Sequence, residues 1–121
     1  MLVKTIKYTD YNDIEREEEF HFNLTKAELM EMNLMTEGGL SQKIEKITKA
    51  MDIPVIAAEF KKIILVSFGV PSDDGKRFIK SPELTKAFTE TPAYSELYMQ
   101  LSRDADAAAE FINGIVPKNI N

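Results

Sequence analysis

The chain has 121 residues, 44% of them hydrophobic, enough for one globular domain rather than a disordered tail. Its 20 acidic and 15 basic side chains leave a net charge of −5, and no run of lysine and arginine exists to displace counterions from phosphates, which argues against nucleic acid as a partner. With no cysteine, disulfides, thiolate nucleophiles and thiolate metal sites are excluded.

The first residues, Met1-Leu2-Val3-Lys4-Thr5, lack the basic start and apolar block of a signal peptide. Residues 54–70 are the most apolar stretch, but Glu59, Lys61 and Lys62 interrupt it, so a membrane span is not expected. An intracellular protein is the expectation.

In chain order, residues 2–8 read as a strand and residues 14–22 as a second, with Phe20 and Phe22 on one face and Glu19 and His21 on the other. The turn formers Thr9-Asp10-Tyr11-Asn12-Asp13 between them predict a hairpin. Thr25-Lys26-Ala27-Glu28 fits a capping box, opening a helix that runs to about Leu34, partly buries Leu29, Met30 and Met32, and stops at Gly38-Gly39. Leu40, Ile44, Ile47 and Met51 recur at helical spacing over residues 40–51.

Asp52 and Pro54 open the next helix, which runs to Phe68 and ends at Gly69; Ile56, Phe60, Ile63, Ile64 and Phe68 make it the central core helix. The β-branched run Ile63-Ile64-Leu65-Val66 leaves a strand open there, although length and the flanking Pro and Gly favour helix. Residues 70–76 read as a loop. Ser81-Pro82-Glu83 and Thr91-Pro92-Ala93 each supply an N-cap followed by a first-turn proline. The second of these helices carries Tyr94, Leu97, Tyr98 and Leu101 on one stripe; at Asp104 it either continues or restarts, and Gly114 closes it before Pro117. The expected fold class is therefore α+β, mainly α: an N-terminal β-hairpin (1–24), about five helices (25–116) and a loose tail (117–121), in a single compact domain over 1–121.

The residues that could carry chemistry have plainer readings. His21 is the single histidine and lacks a nucleophile or further ligands, so it reads as a surface residue. Glu15, Glu17, Glu18 and Glu19 read as a solvated strand edge, or else as a docking surface for a basic segment. Ser72-Asp73-Asp74-Gly75 suggests a calcium loop, but Val70 would occupy the first ligand position, so a tight turn is the better reading. Asp104 and Asp106 read as helix-start acids, and Gly38-Gly39 matches no phosphate loop. No catalytic residue, metal ligand or cofactor site is expected. Met30, Met32 and Met35 either fill core space or form an adaptable binding face.

The phrases Gly75-Lys76-Arg77-Phe78-Ile79-Lys80-Ser81, Phe88-Thr89-Glu90-Thr91-Pro92-Ala93-Tyr94-Ser95-Glu96-Leu97 and residues 104–117 resemble the tail assembly chaperones of phages and prophages of Gram-positive bacteria. The opening, from residues 4–8 through Glu19-Phe20-His21-Phe22 to Asn23-Leu24-Thr25-Lys26-Ala27-Glu28-Leu29, is similar to theirs as well. The resemblance implies a non-enzymatic chaperone, absent from the finished virion, that works in the host cell cytoplasm. It coats the tape measure protein, keeps it soluble, helps recruit tail tube protein through a frameshift-extended form, and self-associates. Candidate contact residues are Met30, Met32 and Met35, or Tyr94 and Tyr98. Pro117-Lys118-Asn119 permits the slippery heptamer A-AAA-AAC, although an ordinary polar C-terminus accounts for these residues equally well. The competing reading is another small phage interaction protein, either a head–tail completion protein or an acidic inhibitor of a host factor.

Overall fold

The computed structural model describes residues 1–32, 39–50 and 53–117. Strands β1 (Leu2–Thr9) and β2 (Glu15–Phe22) form the expected hairpin, in register from Leu2 opposite Phe22 to Thr9 opposite Glu15. Its turn is organised by Asp10, whose Oδ1 accepts from the backbone N–H of Asn12 at 2.8 Å and of Ile14 at 3.0 Å, while Oδ2 accepts from Arg16 Nε at 2.5 Å. Those bonds hold the Asp10 carboxyl below its ordinary value, with the Arg16 bond foremost. Leu2, Ile6, Tyr8, Phe20 and Phe22 belong to the core-facing side, and Val3, Thr5, Lys7 and Thr9 alternate to solvent.

Helix α1 (Lys26–Glu31) starts on a complete capping box: Thr25 Oγ1 accepts from Glu28 N–H at 3.1 Å and Glu28 Oε1 accepts from Thr25 N–H at 2.9 Å. α2 (Gly39–Ala50) and α3 (Ile53–Ser67) follow. The run at 63–66 is helical. Its β-branched residues are accommodated because Ile63 and Ile64 are buried, and packing outweighs intrinsic propensity.

The sheet departs from the two-stranded expectation. α3 ends at Ser67, whose Oγ donates to Ile63 O at 2.6 Å and Ile64 O at 3.2 Å. Phe68 is not helical: β3 (Phe68–Pro71) pairs antiparallel with β2 at His21 and Phe22, and β4 (Phe78–Ile79) pairs with β3, giving four strands in the order β1-β2-β3-β4. Part of the stretch read as a loop is thus sheet. Gly69 is required because a Cβ there would lie 2.6 Å from the Phe78 ring and 2.8 Å from Ile79 O. Between β3 and β4, Asp74 Oδ1 accepts from Ser72 Oγ at 2.7 Å and Lys76 N–H at 3.0 Å, and Gly75 takes φ 73°. The carboxylate serves the turn.

α4 (Pro82–Thr89) and α5 (Pro92–Arg103) begin as expected on Ser81 and Thr91. At Asp104 the chain restarts: its extended backbone ends α5, and its Oδ1 accepts from Asp106 and Ala107 N–H to open α6 (Ala105–Ile115). That break makes six helices among the described residues rather than about five. Two further glycine readings change. Gly39 opens α2 instead of ending the helix before it. Gly114 lies inside α6, pressed on Leu2, where a Cβ would fall 2.8 Å from Leu2 Cδ1. Leu34, Met35, Gly38, Met51, Asp52, the Ile47 side chain and the tail from Lys118 lie outside the described residues.

The helices cover the inner face of the sheet. α5 packs on β1, α3, α4 and α6, while α2 packs on α3 and α6. At the centre Phe88 stacks on Phe68 with ring centroids 4.3 Å apart and meets Phe22 edge-on at 5.9 Å; Phe22 also meets Phe111 edge-on at 5.2 Å.

Candidate partner-docking surfaces

Two of the concave surfaces beside α3 bear on docking. The first, a cleft of about 800 Å³, is walled by α3, α4 and Tyr94 and floored by Lys80 and Glu28. Lys80 Nζ donates to Glu28 Oε2 at 2.6 Å, Asn23 O at 2.7 Å and Val66 O at 2.8 Å. All three ammonium protons are therefore engaged, and one acceptor is a carbonyl of the last turn of α3, where a cation is favoured. Burial works against ionisation of Glu28, but hydrogen bonds from Lys80 and Thr25 and the Lys80 charge outweigh it, so its carboxyl sits below the ordinary value. This pair joins the end of β2, the start of α1 and the end of α3. Its role is structural.

Tyr94 is half-buried at the edge of this cleft, edge-on to Phe88 at 5.7 Å and 5.9 Å from Tyr98, and burial raises its hydroxyl pKa. The Tyr98 hydroxyl donates to Ala57 O at 2.8 Å, tying α5 to α3. The two tyrosines are thus brought together, with Tyr98 committed to an internal bond. Met30 is not partly buried as expected: it is 65% exposed on α1, because Leu29 takes the inward position beside it. Met32 is half-buried at the C-cap of α1. Neither methionine is among the described residues that line the two concave surfaces.

The second surface is an apolar groove of about 560 Å³ between α2 and α3 on one side and the α5–α6 junction on the other. Ile44, Ile53, Ile56 and Phe60 face Leu101, Ala105, Ala108, Ala109 and Ile112, and charged groups (Glu45, Lys49, Arg103) are also among its lining. Ile53 is 68% exposed, and Ala105 and Ala109 are exposed as well. An apolar groove bordered by charges and lined by small side chains fits the apolar stripe of an amphipathic helix. Ile53, Ala105 and Ala109 were not among the candidate contact residues singled out from the sequence. The available cue was a surplus of alanine on α6, wider than one core stripe needs.

Among the described residues, no three histidine, aspartate or glutamate side chains are grouped to hold a metal ion, and no helix is long and apolar enough to cross a membrane.

A family model described as phage tail assembly chaperone matches residues 1–121. The chain belongs to that family. No match to this chaperone was found among curated proteins or solved structures. Membership makes it a chaperone of bacteriophage tail assembly, from a family that is generally non-enzymatic, whose partners are tail proteins.

Proposed function

We propose that this chaperone binds a helical segment of the tape measure protein in the groove between α2–α3 and α5–α6. By covering that segment it keeps a long, partly apolar helix from aggregating until tail tube subunits assemble around it in the host cytoplasm. The observation that carries the reading is the groove itself, apolar where a helix would bury its stripe and charged in places along its lining. Each copy covers only a short stretch, so many weakly held copies act together along one tape measure chain. Recruitment of tail tube protein through an extended form belongs to the same reading. Met30 and Tyr94 are secondary contacts in it, and Tyr98 acts within the fold.

Co-expression with the neighbouring tape measure protein tests this. Ile53→Glu and Ala109→Glu place charge in the groove at exposed positions and leave the circular dichroism spectrum unchanged. Losing about 2 kcal/mol of anchoring weakens binding about 30-fold, so the tape measure protein moves to the insoluble fraction. Undiminished solubility with both variants sinks the assignment.

A further inference from the structure

The cleft between α3 and α4 stands out by its charge. Lys61 lies on its α3 wall, Lys86 on its α4 wall and Lys80 on its floor, with Glu28 as the one acid in the lining. Three lysines against one glutamate give a local formal charge of +2, in a chain whose net charge is −5. Lys80 and Glu28 neutralise each other, which leaves Lys61 and Lys86 as the uncompensated charges. Both are exposed, and neither has an ion-pair partner among the described residues. The acids of those two helices, Glu59 and Glu83, are outside the lining, and Glu59 is paired with Lys43. Two such cations in an acidic chain select a partner of opposite charge.

The shape of the cleft narrows the choice of partner. Its α4 wall is one helical face, Pro82, Thr85, Lys86 and Thr89, at the three- and four-residue spacing that lines side chains up along a helix. Its α3 wall sets Lys61 one turn from Leu65, with Val66 next along the chain. Apolar lining from Leu65, Val66 and Pro82 thus accompanies the two cations. Lys61 and Tyr94 also line a smaller cavity of about 270 Å³ with Ser95 and Tyr98, so the concave surface continues over the tyrosine pair. A small free anion needs neither that length nor an apolar lining. A stretch of polypeptide uses both.

We propose that this cleft is a second docking site, for an extended acidic segment of a partner protein. An apolar side chain of the segment rests on Leu65 and Val66, and carboxylates on either side of it pair with Lys61 and Lys86. Residues two apart in an extended chain project to the same side. The pattern Glu-x-Leu-x-Glu therefore presents all three groups together, over about 13 Å at about 3.3 Å per residue. The acidic surface elsewhere repels such a segment, so the cleft fixes where it lies. Both ion pairs are exposed to solvent, so binding is weak and screened by salt. The site shares no lining residue with the apolar groove and stands whether or not a helix fills that groove.

Fluorescence anisotropy of a labelled Glu-Ser-Leu-Ser-Glu peptide with the full chain tests it, at about 50 mM and about 300 mM salt. The peptide binds at low salt and is released at high salt, and its glutamine counterpart does not bind. Lys61→Gln and Lys86→Gln each weaken binding about fivefold, the loss of one ion pair worth about 1 kcal/mol. Lys62→Gln makes the same change of net charge beside Lys61 but outside the lining, and leaves binding unchanged. All three lysines are exposed, so the circular dichroism spectrum stays that of the unmodified chain. If a variant misfolds, the comparison of the two peptides on the unmodified chain still decides. Equal binding of the two peptides, an equal loss in Lys62→Gln, or a DNA duplex that displaces the peptide overturns the proposal, as does no binding at about 1 mM peptide.

Discussion

Lys80 gathers three oxygens from segments 57, 52 and 14 residues away, and its worth lies in what it neutralises. Lys80→Met strands a half-buried carboxylate and two carbonyls and costs about 1–3 kcal/mol in urea denaturation. Glu28 titrates below its ordinary value of 4.5 in the folded chain, so its contribution is complete above pH 4.5 and disappears as the pH falls through the lower folded value. Glu28→Gln therefore flattens the stability profile in that acid window; a profile still as steep as the unmodified chain's would refute the role. Gly69 in β3 and Gly75 in the following turn differ in kind. Gly69→Ala drives a methyl into the Phe78 ring and costs about 1–3 kcal/mol, whereas Gly75→Ala meets nothing within 4 Å and costs only the positive φ, about 1 kcal/mol. Thermal melts of the two variants show the gap.

At the scale of elements, the helix starts were legible because a cap is a local event. Thr25, Ser81 and Thr91 bond to N–H groups three residues on. Asp104 left two readings open, since helical periodicity continues across it and only the extended backbone decides for a break. Asp104→Ala removes the acceptor for two N–H groups and lowers stability by about 1 kcal/mol, measurable as an earlier urea midpoint and faster amide exchange at Asp106 and Ala107. β3 and β4 were not legible. Four and two residues are too few to show a period, and Phe68 continues the apolar stripe of α3 while its ring packs against Phe22 and Phe88.

Across the whole molecule, stability centres on the aromatic cluster, and the contacts proposed for the partner lie on the surfaces around it. Phe88 touches Phe20, Phe22, Phe68 and Tyr94, from β2, β3 and α5. Phe88→Ala empties the junction of sheet and helices and costs about 3–5 kcal/mol, the largest loss among these variants, by urea denaturation. The apolar groove needs α2, α3, α5 and α6 together, so no segment announces it alone. The methionines singled out from composition fared differently from one another: Met30 faces outward while Leu29 beside it is buried, a choice of helix face that a six-residue helix does not reveal by spacing.

The residues alone determined the hairpin, the capped helix starts, the tight turn at Asp74-Gly75 and the kinship with tail assembly chaperones, because each is written in neighbouring side chains or in phrases that run along the chain. The tertiary structure alone decided that α3 gives way to strand after Ser67, that Lys80 clips three segments, and that four helices leave an apolar groove. Those features arise from contacts between distant segments, and their energies do not exist until the chain has closed on itself.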